Sequence, residues 1–135
     1  MEIVICPDAV QAGRLGADAI TTLIRRKPDG VLGLATGSSP LGIYDELARR
    51  HDAGELSFAS ARGFTLDEYV GLATEHPETY HNVIRKDFVN RVDFADGAVR
   101  GPDGLSDDIP AFCRSYEEAI AAAGGIDLQI LGIGT

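Results

Sequence analysis

Apolar positions along the chain recur sometimes at short extended spacing and sometimes at helical spacing, and the switches between the two predict its elements. Glu2 to Cys6 (EIVIC) is a β-branched run that predicts a strand. Asp8 follows as a cap for a helix whose apolar positions are Ala12, Leu15, Ala19, Ile20, Leu23 and Ile24. Lys27-Pro28-Asp29-Gly30 breaks that helix, and Val31 to Ala35 is a second apolar strand. Thr36-Gly37-Ser38-Ser39-Pro40 turns the strand into another helix, with Ser39 as its cap and Pro40 at the first helical position. That helix carries Leu41, Tyr44, Leu47 and Ala48 and stops at Gly54. Gly63 to Leu66 reads as a third strand running into Asp67-Glu68-Tyr69. A helix from about Glu78 to Asn90 places Tyr80, Val83, Ile84 and Phe88 on one face, and a short extended piece near Ala98 to Arg100 follows. Beyond a loop rich in Gly, Pro and Asp, the positions Ile109, Phe112, Cys113, Tyr116, Ile120 and Ala123 predict a last helix. Gly124-Gly125 ends it before a strand from Leu128 to Ile133.

Strands alternating with helices imply a parallel sheet covered on both faces, because parallel strands need crossover connections. The expected fold class is α/β, a doubly wound, mostly parallel, Rossmann-like sheet. With no internal repeat and no dividing linker, residues 1–135 are expected to form a single domain. The sequence stops at Gly132-Ile133-Gly134-Thr135, directly after a strand expected to be buried on both faces. Domains seldom stop there, so the expectation is a truncated chain, the N-terminal part of a longer domain. Such a fragment leaves its last strand uncovered and is expected to be marginally stable or to aggregate.

Composition narrows the class. No apolar run approaches the roughly 20 residues of a membrane-spanning helix, and the N-terminus lacks the basic start of a leader, so a cytoplasmic protein with no membrane partner is expected. Cys6 sits in a strand-like run and Cys113 on an apolar helix face; both read as small buried hydrophobes, without a disulfide. No CxxC or histidine cluster is present, so no metal site is expected. The net charge of −9 is spread over the chain, and the densest basic group is Arg25, Arg26 and Lys27, which argues against a nucleic-acid partner. A negatively charged protein that binds a phosphorylated metabolite must overcome that background locally, with backbone amides at a helix start.

Thr36-Gly37-Ser38-Ser39 is such a place. It follows a buried strand and opens a helix, and the hydroxyls of Thr36, Ser38 and Ser39 add donors. Locally, a polar turn with a cap and no ligand reads the same way. Neither a P-loop lysine nor a complete GxGxxG accompanies it, which disfavours a nucleotide. Asp67, Glu68 and Tyr69 end the third strand on the same sheet edge, where a carboxylate can act as general base beside a carbonyl or can cap the next segment. His76 and His81 stand where either could line the pocket mouth, but like His51 they read first as solvated or loop-tying histidines. Gly132 and Gly134 flank the last strand end, where glycine permits close backbone approach to a ligand or simply a tight turn.

In this order and at these spacings, Leu34-Ala35-Thr36-Gly37-Ser38-Ser39-Pro40, Thr65-Leu66-Asp67-Glu68-Tyr69-Val70-Gly71-Leu72 and Glu75-His76-Pro77-Glu78-Thr79-Tyr80 resemble the glucosamine-6-phosphate deaminase family, over essentially the whole chain. The resemblance implies a fold shared with ribose-5-phosphate isomerases. It also implies conversion of glucosamine 6-phosphate and water to fructose 6-phosphate and ammonia, without metal or organic cofactor. By that likeness Asp67 is the enolisation base, Thr36, Gly37, Ser38 and Ser39 hold the substrate phosphate, and Glu68, Tyr69, Gly132 and Gly134 line the pocket. Leu131-Gly132-Ile133-Gly134-Thr135 matches the lead-in to an Asp-Gly-His motif that the sequence does not contain, so the 135 residues alone are expected to lack turnover. Competing readings are a 6-phosphogluconolactonase, a ribose-5-phosphate isomerase and a non-catalytic phosphosugar-sensing domain. The Leu66 to Leu72 signature argues against the first two, and the absence of a DNA-binding segment ahead of the first strand argues against the third. The number of subunits, a homo-oligomer included, and any allosteric control are not legible.

Overall fold

A computed structural model of the chain describes residues 1–133. Asp8 caps the first helix, α1 (Ala9–Arg26), by accepting the N–H of Gln11 at 2.8 Å. Strand β1 (Val31–Leu34) is followed by α2 (Leu41–Asp52) and β2 (Arg62–Thr65). Helix α3 (Tyr80–Asp87), a 3₁₀ turn at Val89–Arg91, β3 (Val99–Arg100), α4 (Ile109–Ala122) and β4 (Leu128–Gln129) complete the chain. The strands form one sheet in the order β3-β2-β1-β4, and every pairing is parallel.

β1 is the buried centre of that sheet, and its side chains divide between the two faces. Leu32 and Leu34 join Ala17, Ile20, Tyr44, Leu47, Phe58 and Phe88 in the larger core under α1, α2 and α3. Val31 and Phe64 pack with Tyr116 of α4 on the opposite face. Helices therefore cover both sides, as the alternation of elements implied. The larger core is built on rings: Tyr44 stacks on Phe88 at 4.7 Å between centroids, and Phe58 meets Phe88 edge-on at 5.4 Å.

Several expectations are corrected. Met1 to Cys6 form no strand, and Ile3, Val4 and Ile5 are exposed. β-branched residues make strand only where a neighbouring chain completes the ladder, and no described strand pairs with residues 1–6. Leu128 to Ile133 is strand only at Leu128–Gln129; Ile130 still donates its N–H to Gly33 at 2.9 Å, but Leu131 and Ile133 are exposed rather than buried. Nothing among the described residues packs beyond that edge.

The buried stripe of α1 is Gly13, Ala17, Ile20, Thr21 and Ile24, whereas Ala12, Leu15 and Ala19 face outward. Small residues set this rotation: a Cβ on Gly13 would lie 2.6 Å from the carbonyl carbon of Gly42 in α2, so the two backbones touch there. Pro40, not Ser39, is the cap of α2, and it makes no side-chain capping bond. Helix α3 begins after Thr79, which caps it through Asn82 N–H, and ends at Asp87. Cys6 is half-buried and Cys113 exposed, because the former lies outside any strand and the latter on an uncovered part of α4.

Candidate active site

Two tyrosines anchor the strand ends from which the candidate residues extend. The Tyr44 hydroxyl, buried under α2, donates to Ala35 O at 2.6 Å and accepts from Ala35 N–H at 3.1 Å, fixing the backbone immediately before Thr36. Burial raises its pKa well above the usual phenol value. The Tyr116 hydroxyl, on the other face, lies 2.7 Å from Thr65 O and 3.2 Å from Arg100 O and does the same for β2. Both residues are visible in the sequence only as members of apolar helical stripes. The available signal is chemical: a tyrosine at a core position must satisfy its hydroxyl.

Beyond β1 the chain turns through Gly37, whose φ of +99° favours glycine although a Cβ there would meet nothing within 4 Å. Thr36 is half-buried; Gly37, Ser38 and Ser39 are exposed. Among the described residues, the N–H groups of Gly37, Ser38 and Ser39 and the hydroxyls of Thr36, Ser38 and Ser39 have no hydrogen-bond partner, while Ser38 O accepts from Leu41 N–H at 3.3 Å. Free donors at the start of α2 present partial positive charge to solvent, which suits an anion. The turn also meets the tip of β4, since a Cβ on Gly132 would lie 3.5 Å from that of Ser39. β1 and β4 flank the point where the strand order reverses, the place where open α/β sheets form their ligand crevice. Gly134 lies outside the described residues.

Beyond β2 the two adjacent acids part company. Leu34 pairs with Thr65, so Thr36 and Asp67 follow neighbouring strand ends at equal distance along the chain. Glu68 is engaged: Oε1 accepts from Tyr69 and Tyr80 N–H and Oε2 from His81 N–H, all at 2.9 Å. It therefore satisfies the first amides of α3 and ties the segment after β2 to that helix. Asp67 is exposed, and among the described residues nothing donates to it. It lines a groove of ≈ 230 Å³ with Leu66, Val70, Ile109, Phe112 and Cys113; the turn at 36–39 does not line this groove. Tyr69 and Tyr80 stand beside it with rings 4.7 Å apart and hydroxyls at 3.2 Å. The Tyr80 phenol is pushed up to about 12, first by its bond to Tyr69, then by burial and by the negative charges of Tyr69, Asp67 and Glu68.

Of the three histidines, His76 ties a loop. His76 Nδ1 accepts from Glu78 N–H at 3.1 Å, and its carbonyl takes the Asn82 side chain at 2.9 Å. His51 approaches Asp93 at 3.5 Å, and His81 lines a cavity of ≈ 340 Å³ with Glu68 and Thr79. No group of three or more His, Cys, Asp or Glu among the described residues is placed to hold a metal, and no described helix is long and apolar enough to cross a membrane.

Residues 9–135 match the family described as glucosamine-6-phosphate isomerases/6-phosphogluconolactonase. Over 135 residues the chain is 69% identical to a protein named glucosamine-6-phosphate deaminase from Mycolicibacterium smegmatis, covering 100% of this chain and 52% of the relative. A protein of the same name from Streptomyces coelicolor is 49% identical with the same coverage. The chain thus spans about half the length of the curated relatives it matches. Among solved structures, a monomeric glucosamine-6-phosphate deaminase superposes with a TM-score of 0.95 at 37% identity, over 99% of this chain and 56% of that one. The 6-phosphogluconolactonase of Thermotoga maritima gives 0.78 at 23% identity, over 98% and 59%, a likeness of fold alone.

Proposed function

This chain belongs to the family of glucosamine-6-phosphate isomerases and 6-phosphogluconolactonases, and from that premise we propose that the intact protein is a glucosamine-6-phosphate deaminase. Glucosamine 6-phosphate and water become fructose 6-phosphate and ammonia. Proton transfers and hydrolysis suffice for this chemistry, so no metal or organic cofactor is called for. The turn Thr36 to Ser39 binds the phosphate, and Asp67 takes the C2 proton of the open-chain sugar and returns it to C1. The imine left at C2 is hydrolysed by water, which releases ammonia. Fixing the distant phosphate orients the C1–C2 bond against the carboxylate, so that binding at a non-reacting group assists the reacting one. Glu68, Tyr69 and Gly132 belong to the surroundings of this site rather than to its chemistry.

One observation supports the reading: two neighbouring parallel strands end in a turn of donors and in a carboxylate that have no hydrogen-bond partner among the described residues. The family description covers both activities, but the Thermotoga maritima lactonase is 23% identical, whereas the deaminase likeness reaches 69% over the whole chain. Asp67→Asn in the intact protein tests the assignment. Ammonia release is expected to fall by on the order of 10² or more, with sugar-phosphate binding largely kept, because the amide cannot take a proton. Turnover near the parental rate would refute it.

A further inference from the structure

We propose that Tyr116 is a positioning residue for Asp67, its hydroxyl supplying to Thr65 O the hydrogen bond that proline at 102 removes from the β2–β3 ladder. The inference rests on the reading of Asp67 as the base, which it deepens.

The case starts from register. Gly63 pairs with Val99 and Phe64 with Arg100, and Gly63 N–H donates to Ala98 O at 3.0 Å. Residues at odd positions of β2 therefore point their backbone groups at β3. Carried two residues on, this pattern has Thr65 N–H facing Arg100 O and Thr65 O waiting for the N–H of residue 102. Residue 102 is proline, which has none. Gly101 lies against the Thr65 side chain, as the continued register requires.

Thr65 is buried, so water does not readily replace the missing donor and an unpaired carbonyl would cost free energy. The Tyr116 hydroxyl fills the vacancy at 2.7 Å. Its ring is held edge-on against Phe64 at 5.7 Å and near Phe112 at 6.1 Å, and the residue is only 8% exposed, so the donor approaches from a fixed direction. Burial pushes the phenol up to about 12, so the hydroxyl stays protonated and remains a donor at working pH.

This bond sits at the last residue of β2, after which the chain leaves the sheet through Leu66 to Asp67. Tyr44 holds Ala35 in the same way at the end of β1. The turn and the carboxylate are thus carried on strand ends anchored from opposite faces, and a shift at either one changes their separation. Small misplacements of a reacting group are costly, which makes the hydroxyl a determinant of turnover rather than of packing alone.

The test is made in the intact protein with glucosamine 6-phosphate as substrate. Tyr116→Phe keeps the ring and removes the donor. It is expected to lower kcat on the order of tenfold while KM changes by less than about twofold. Adding Pro102→Ala to that background restores an N–H facing Thr65 O and is expected to recover kcat to within about threefold of the parent. A purely structural role for the ring would not be rescued in this way. Parental kcat in Tyr116→Phe, or a loss that Pro102→Ala leaves unchanged, would overturn the inference. If Tyr116→Phe alone does not fold, the double variant decides: folded with recovered turnover supports the proposal, and unfolded or inactive overturns it. An active parent with an inactive Asp67→Asn and an unimpaired Tyr116→Phe would sink this inference and leave the deaminase reading standing. No ammonia release from the parent would sink both.

Discussion

Asp67 and Glu68 are neighbours of the same chemical type, yet one holds structure while the other is free. Glu68 satisfies the amides that open α3, and Asp67 has no donor among the described residues. Residue pattern alone marks both as acids at a strand end, and only the family resemblance separates them, because the amides that claim Glu68 belong to Tyr80 and His81, a dozen residues on. Glu46 shows a third use of a carboxylate. It accepts from Arg49 at 2.8 Å and Arg50 at 2.9 Å, and Arg50 continues to Asp18 of α1 at 2.6 Å. Its pKa falls from 4.5 to about 2, first through the Arg49 hydrogen bond, with burial opposing and Arg50 assisting. A carboxylate lowered on folding stabilises the protein above its unfolded value and loses that contribution as pH falls through the folded one. The deficit in thermal midpoint of Glu46→Gln against the parent is therefore expected to be largest near neutrality and to shrink from about pH 4.5 towards about pH 2. A deficit independent of pH would show that the ion pairs carry none of it.

At the scale of elements, the helices were legible as periods, and the face of α2 with them, since Tyr44, Leu47 and Ala48 are buried as expected, but the face of α1 was not. α1 starts at the cap its Asp8 announces, but the buried stripe runs through Gly13 and Ala17 instead of Leu15, because the contact with α2 is made backbone to backbone. A glycine contributes nothing to an apolar pattern, so this seam leaves no trace in periodicity. Gly13→Ala tests it with opposing signs. Helix propensity alone favours alanine by about 1 kcal/mol, whereas overpacking against immovable backbone costs about 1–3 kcal/mol. A net loss of about 1 kcal/mol in urea unfolding of the intact protein is expected; a net gain would mean that the two helices part freely. The turn after β1 was legible because a glycine among hydroxyl residues, leading into a proline, carries its own geometry. The run Glu2 to Cys6 misled because strand propensity is realised only against a partner strand.

The whole molecule was legible in class, since strand and helix periods in alternation admit few arrangements other than a covered parallel sheet. What covers each face was not. Along α4 a groove of ≈ 360 Å³ lies open between Phe64, Phe112, Tyr116, Ile120 and Ile126, and Leu131 is 69% and Ile133 90% exposed. A polypeptide of these 135 residues is therefore expected to self-associate and to bind a hydrophobic dye, with light scattering that rises with concentration. A monodisperse monomer that excludes the dye would contradict this. The order β3-β2-β1-β4 also has a temporal side. The amide of Val31 bonds to Asp127 across 96 positions, while its other neighbour, β2, follows shortly after it. Ribosomes deliver about 5–20 residues per second, so the innermost strand waits on the order of ten seconds with one flank bare before its second partner emerges. Throughout that interval the side of β1 that β4 later covers offers unpaired backbone groups to any passing strand.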